Sequence, residues 1–185
     1  MSARQDPLMG FNFAVSLVDS QPTLGGALGG LVVAVSGPAA TAGFSEVSGL
    51  EATMDIESYD AGGLNGGSLR LPGRVKWANL VLKRGVLAKV MPGDPSDFWT
   101  WLQTFLDGNG VRKDGTISLL DESGSPGLVW SWSRGLPVKW TGAAMNAQQS
   151  QVAIEHLEIA HEGLTLTSNL GSIGAAIVGV ATALL

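Results

Sequence analysis

Asp94-Pro95-Ser96-Asp97-Phe98-Trp99-Thr100-Trp101-Leu102-Gln103-Thr104-Phe105-Leu106-Asp107-Gly108 is the one stretch before the C-terminal tail that reads as a helix. Asp94 can cap the first free N–H groups, and Pro95 follows at the first helical position, where a missing donor costs nothing. Asp97 adds negative charge to the first turn, and Gly108 stands where a left-handed residue commonly ends a helix. Phe98, Trp101, Leu102 and Phe105 recur at helical spacing as one apolar stripe, which Trp99 and Leu106 widen. The rest of the chain reads as β-strand. The pattern therefore predicts a mainly β fold, with one helix at about 95–107 packed on an antiparallel sheet or barrel.

The chain has 185 residues, enough for one domain with a proper core. It is 45% hydrophobic and 15% charged, against about 25% charged in an average soluble domain. That shortage suggests surface hidden in an assembly, with abundant Gly and Ala contributing. A net charge of −5 argues against binding nucleic acid by phosphate neutralisation. The absence of cysteine excludes disulfides and thiolate chemistry. Met1 to Pro7 lacks the apolar run of a signal peptide, so synthesis and assembly are expected in the cytoplasm.

Outward from the helix, strands are marked by alternation and by turn residues. Phe11, Phe13, Val15 and Leu17 share one face of a first strand, and Leu31–Val35 is a short apolar strand after a Gly-rich loop. Phe44 to Tyr59 is the longest alternation: Leu50, Ala52, Met54 and Ile56 point one way, and Glu51, Thr53, Asp55, Glu57 and Tyr59 the other. The acidic side is either a solvated sheet face or one turned to a shared channel. Val75 to Val86 is apolar on both faces, as in a central strand. Beyond the helix come a strand at Thr116–Leu120, a turn at Asp121–Gly124, and a strand with Leu128, Trp130 and Trp132 on one face that Pro137 breaks. Val152 to Glu162 changes phase midway, which a bulge near Glu155-His156 would reconcile. The tail from Leu170 to Leu185 is small and apolar throughout. As a helix it would reach about 24 Å, short of the roughly 30 Å needed to span a bilayer, so packing on a neighbouring subunit or on an inner surface is the better reading.

Catalytic and cofactor chemistry is hard to find, and no catalytic, cofactor-binding or metal residues are assigned. Asp60 to Gly67 is Gly-rich, but no Lys-Ser/Thr and no helix follow it, so it is not a phosphate loop. His156 and His161, with Glu158 nearby, are the best metal ligands on offer, yet their odd spacing puts them on opposite faces of a regular strand. No Gly-x-Ser-x-Gly elbow occurs. Glu51, Asp55 and Glu57 could supply paired carboxylates for glycoside chemistry, but carboxylates along one strand are more often solvating charges. The six tryptophans fall mainly at core parity and read as packing rather than as a base-stacking platform.

An ordered set of motifs resembles the inner tube proteins of contractile injection systems. It runs from Asp6-Pro7-Leu8 and Gly10-Phe11-Asn12-Phe13 through Gly43-Phe44-Ser45-Glu46-Val47-Ser48-Gly49-Leu50-Glu51, Tyr59-Asp60-Ala61-Gly62-Gly63, Leu71-Pro72-Gly73 and Leu80-Val81-Leu82-Lys83-Arg84-Gly85. The Phe98-Trp99-Thr100-Trp101 helix, Trp132-Ser133-Arg134-Gly135-Leu136-Pro137-Val138-Lys139-Trp140 and Ile154 to Leu164 continue it. The resemblance covers roughly residues 6–18 and 43–164. It delimits a tube domain at 1–164, carrying a Gly/Ala-rich insertion at about 19–42, and an apolar extension at 165–185.

The resemblance implies a fold like phage tail tubes and the Hcp protein of type VI secretion: a β-barrel of two packed antiparallel sheets with one flanking helix. It further implies a non-enzymatic structural subunit whose hexameric rings stack into a hollow tube, driven through a target envelope by a contracting sheath. Partners would be the chain itself, a contractile sheath, spike and baseplate proteins, a tube terminator or cap, and effector cargo in the lumen. Specific nucleic-acid binding and stable membrane insertion are not expected. The particle would be a phage tail or an intracellular, membrane-attached or released injection machine. By the same analogy, Tyr59, Asp60, Gly62, Gly63, Leu64, Asn65 and Arg70 contact the adjacent ring, and Glu51, Asp55 and Glu57 face the lumen. Alternatives are an adaptor ring that initiates the tube on its spike, a lipid-associated module using the tail, and a carbohydrate-active or metal-dependent enzyme.

Overall fold

Among the described residues, alternation of apolar and polar residues builds nine strands, and the one sustained helical period builds one helix. The computed structural model describes residues 7–20, 43–63, 66–86 and 97–168. In chain order the elements are β1 (Phe13–Asp19), β2 (Phe44–Ser48), β3 (Ala52–Tyr59), β4 (Leu69–Trp77), β5 (Leu80–Gly85), α1 (Phe98–Leu106), β6 (Lys113–Leu120), β7 (Pro126–Thr141), β8 (Ile154–Ala160) and β9 (Leu164–Ser168). The expected strand at 31–35, most of the 19–42 insertion and the tail from residue 169 lie outside the described residues.

The architecture is mainly β, as the sequence predicts, with two antiparallel sheets and one helix among the described residues. Seven strands pair in the order β1-β6-β7-β8-β5-β2, with β9 also on β7, while β3 and β4 form a separate two-stranded sheet. A closed barrel is not formed among the described residues, because β1 and β2 end the sheet without pairing to each other. The organising strand is β7. Its first part pairs with β6 and β9, and its last part, from Leu136, pairs with β8. The register of β7 shifts near Arg134, whose φ is +53°. The buried Asp114 carboxylate accepts the Arg134 N–H at 2.6 Å there. Pro137 does not end this strand. Val138 is an extra residue between the Pro137–Ile159 and Lys139–Glu158 pairs, so a bulge carries the strand past the imide.

One core joins both parts of the sheet to the helix. Val15 and Leu17 of β1, Leu80 and Leu82 of β5, Ile117 of β6, Trp132 of β7 and Leu157 and Ile159 of β8 are buried against Phe98 and Trp101 of α1. Close packing of this kind makes single positions strict. A Cβ on Gly115 would lie 2.2 Å from the Trp132 ring.

The helix starts later than its sequence suggests. Asp97 is the N-cap, not a first-turn residue, and its Oδ1 accepts the Thr100 N–H at 3.1 Å. Asp94 and Pro95 lie outside the described residues. Asp107 is the C-cap, followed by Gly108 at φ +78°. Trp99 and Leu106 do not widen the buried stripe: both are exposed, although the Trp99 ring packs on Trp140 with centroids 4.9 Å apart.

Four other expectations are corrected. Phe11 precedes β1 and is exposed. The Phe44–Tyr59 alternation is two strands, broken at Gly49, where φ is +88° and a Cβ would sit 2.0 Å from the Asn79 carbonyl oxygen. The Val75–Val86 run is also two strands, split at Ala78-Asn79, and only β5 is central. No bulge interrupts β8 at Glu155-His156. Its inward phase is Glu155, Leu157 and Ile159, so a carboxylate takes the place expected for an apolar side chain.

Candidate assembly surface

The hairpin of β3 and β4 departs most from what a solitary domain should show. Among the described residues, neither strand is hydrogen-bonded into the main sheet, and neither makes more than incidental contact with another element. It grows from the strict Gly49–Asn79 crossing, where the Ala78 N–H donates to the Glu51 carbonyl at 3.2 Å and extends the ladder to the hairpin base. Along it, Ala52 faces Trp77, Met54 faces Val75, Ile56 faces Pro72 and Tyr59 faces Leu69. The register shifts between Met54 and Ile56, where Gly73 passes so close that a Cβ would lie 2.9 Å from the Asp55 carbonyl oxygen.

Alternation and register divide the hairpin into two faces. Ala52, Met54, Ile56, Val75, Trp77 and Pro72 form one, apolar along most of its length. Glu51, Asp55 and Glu57 share the other with Tyr59, Leu69 and Leu71. Both are solvent-exposed: Met54 is 52%, Ile56 61%, Tyr59 58% and Trp77 38% accessible. Met54 and Ile56, which the alternation sets on one side with Leu50 and Ala52, thus lie on a sheet that nothing in the chain covers among the described residues. An isolated two-stranded sheet is marginal in water, and an exposed apolar surface of this kind marks an interaction site.

The predicted contact residues fall at the hairpin's far end. Tyr59 closes β3, Asp60, Gly62 and Gly63 follow it, and Arg70 lies in β4 opposite Ser58. Leu64 and Asn65 lie outside the described residues. Of the three carboxylates, only Asp55 has an ion-pair partner among the described residues, Lys76 Nζ at 2.8 Å. That pair is exposed on both sides and contributes little.

In the core, between β5 and β8, lies a buried ion pair that the sequence reading missed. Arg84 Nε donates to Glu155 Oε1 at 2.6 Å, and the two residues are 2% and 7% exposed. Trp140 Nε1 donates to Glu155 Oε2 at 3.0 Å, and the guanidinium lies 4.1 Å from the centroid of the fully buried Phe98 ring. The pair clamps α1 to β5 and β8. The available signal was positional: Arg84 keeps the phase of Leu80 and Leu82, and Glu155 that of Leu157 and Ile159.

His156 and His161 are not brought together as ligands, and no group of metal-binding side chains occurs among the described residues. His161 instead sits beside the hairpin base, 3.1 Å from the Ala78 carbonyl oxygen and 6.1 Å from the Trp77 ring between centroids. Burial holds its pKa below the usual imidazole value, a pull that backbone hydrogen bonds to Ala78 and Gly163 oppose. Among the described residues no helix is long and apolar enough to cross a membrane.

A family model described as T4-like virus tail tube protein gp19 matches residues 9–165. No curated protein sequence matches the chain. Among solved structures, a chain in the anti-feeding prophage baseplate is 24% identical, with a TM-score of 0.69 over 89% of this chain and 98% of its own. A chain of an extracellular contractile injection system, the PVC sheath-tube complex in its extended state, is 20% identical, with a TM-score of 0.68 over 88% and 93%. A type six secretion system protein is 10% identical, with a TM-score of 0.50 over 85% and 83%. At these identities the likeness is one of fold.

Proposed function

Since the chain belongs to the T4-like virus tail tube protein gp19 family, a family of structural tube proteins, we propose that it is the subunit of the inner tube of a phage-tail-like contractile injection system. The observation that carries this reading is the β3–β4 hairpin, apolar and exposed along its length yet without a partner among the described residues of its own chain. Six copies close a ring through heterologous contacts, and rings stack into an open filament. The edges at β1 and β2, unpaired among the described residues, are completed by neighbouring copies, which also removes an aggregation hazard.

Within that assembly the hairpin tip, from Tyr59 to Arg70, docks on the adjacent ring. The face carrying Glu51, Asp55 and Glu57 lines the lumen, where negative charge keeps acidic cargo from adhering. The tube does no bond chemistry. A surrounding sheath drives it through a target envelope behind a spike, and sheet continuous between subunits gives the axial stiffness this demands. Baseplate and cap proteins bound its two ends.

Negative-stain electron microscopy of the purified chain over a concentration series tests the reading. Hollow tubes or stacked rings are expected. A monomer at every concentration, both alone and with its sheath and spike proteins, would overturn it.

A further inference from the structure

A second apolar surface lies at the start of β1. Leu8, Met9 and Phe11, before β1, and Leu120, at the end of β6, line a cleft of about 470 Å³. Leu8 is 38%, Met9 56% and Phe11 83% exposed. Of the polar groups that also line the cleft, Asn12 and the Asp121 carboxylate are engaged within the chain, while the Glu122 carboxylate stands at its rim. The Asp121 carboxylate accepts the Ser123 and Ser125 N–H groups at 2.9 and 2.8 Å, and Asn12 Nδ2 donates to the Asp121 carbonyl at 2.9 Å. Apart from Glu122, what remains on offer is apolar.

The same end of the molecule is where β9 delivers the chain. Ser168, the last residue of β9, pairs with Leu128 of β7. The neighbouring Gly127 is so close to the cleft that a Cβ on it would lie 2.8 Å from a Leu8 methyl. From there the sequence runs Asn169-Leu170-Gly171-Ser172-Ile173-Gly174-Ala175-Ala176-Ile177-Val178-Gly179-Val180-Ala181-Thr182-Ala183-Leu184-Leu185, without a charged side chain. Even a few of these residues bridge the gap, at about 3.3 Å each when extended. A tether this short gives the segment a high effective concentration at the cleft.

We propose that residues 169–185 dock in cis into the cleft formed by Leu8, Met9, Phe11 and Leu120, covering the start of β1 with the chain's own apolar tail. The segment is thus an intramolecular cover, its apolar side chains suited to Leu8, Met9, Phe11 and Leu120 and its start placed by the register of β9. The docking is independent of the tube reading, because it occurs within one chain.

Hydrogen exchange on the dilute monomeric full-length chain, compared with an I177D/V178D variant, tests this. Amides of residues 8–12 and 120–123 should exchange about tenfold or more slower in the parent chain, and the variant should lose that protection while β8 keeps its own. A second arm uses M9C paired with I177C, neither native residue being a cysteine. Oxidation at low concentration should give a monomeric crosslinked band. Equal exchange in parent and variant, with no monomeric crosslink, overturns the proposal. Dimers formed between separately labelled chains, without the monomeric band, overturn it in favour of a neighbouring copy as the occupant.

Discussion

Removing Glu155 should cost this domain more than removing almost any other single side chain. Arg84 is 2% exposed, and among the described residues its one anionic partner is Glu155, at 2.6 Å. In Glu155→Leu the guanidinium keeps its burial and loses its counter-charge, and Trp140 Nε1 loses its acceptor. Breaking one side of a buried pair costs about 3–5 kcal/mol, because the survivor stays desolvated. For a domain of this size, where 1 kcal/mol moves Tm by about 2–4 °C, the midpoint falls by roughly 6–20 °C. The double change Arg84→Met with Glu155→Leu removes both charges and keeps an apolar filling against Phe98. It should return to within about 2 kcal/mol of the parent, since well-packed apolar replacements of buried pairs are often neutral. Urea denaturation of the four proteins of this cycle, followed by tryptophan fluorescence at concentrations where each is monomeric, gives the coupling energy directly. A Glu155→Leu loss below about 1 kcal/mol, or a double variant as unstable as the sum of the singles, would refute the claim that the pair is desolvated and coupled.

Gly49→Ala should destabilise by about 2 kcal/mol or more, measured by the same denaturation. Its φ of +88° is strained for any side chain, and the new Cβ would fall 2.0 Å from the Asn79 carbonyl oxygen, so the hairpin base has to move. Stability should also depend on pH through His161. Its folded pKa is depressed by burial, so the unfolded chain binds the proton more readily. The contribution is therefore fully present above the unfolded value of about 6.5 and is lost as pH falls through the lower folded pKa. Thermal melts across that window should show the slope in the parent and lose it in His161→Gln; an identical slope in both would contradict the assignment.

Local rules made the helix and most strands legible. Phe98, Trp101 and Asp107-Gly108 mark α1 without any tertiary information, and Asp121 to Gly124 forms the expected turn, with the Asp121 carboxylate accepting two backbone N–H groups. What failed depended on partners distant in sequence. Alternation in Phe44–Tyr59 gives the correct parity for Met54 and Ile56, but parity does not say whether a face meets this chain's core or another molecule. Glu155 looked like a break in pattern because its partner, Arg84, lies 71 positions away. Pro137 looked like an end because the bulge at Val138 that accommodates it is a property of the pairing with β8. Leu164–Ser168 is too short, and too much like the start of an apolar extension, to announce β9; its pairing with β7 makes it a strand. For the candidate surface, the sequence supplied the acidic trio and the glycine-rich tip, while the exposed apolar face beside them became visible only with the fold.

The central claim is that the uncovered hairpin joins subunits, and a Met54→Asp/Ile56→Asp variant compared with the parent by electron microscopy and sedimentation tests it most directly. Both residues are exposed already, so the charged replacements should leave the monomer folded. The account predicts tubes or stacked rings from the parent, and a folded variant that stays monomeric at the same concentration. A variant that assembles as readily as the parent would contradict it.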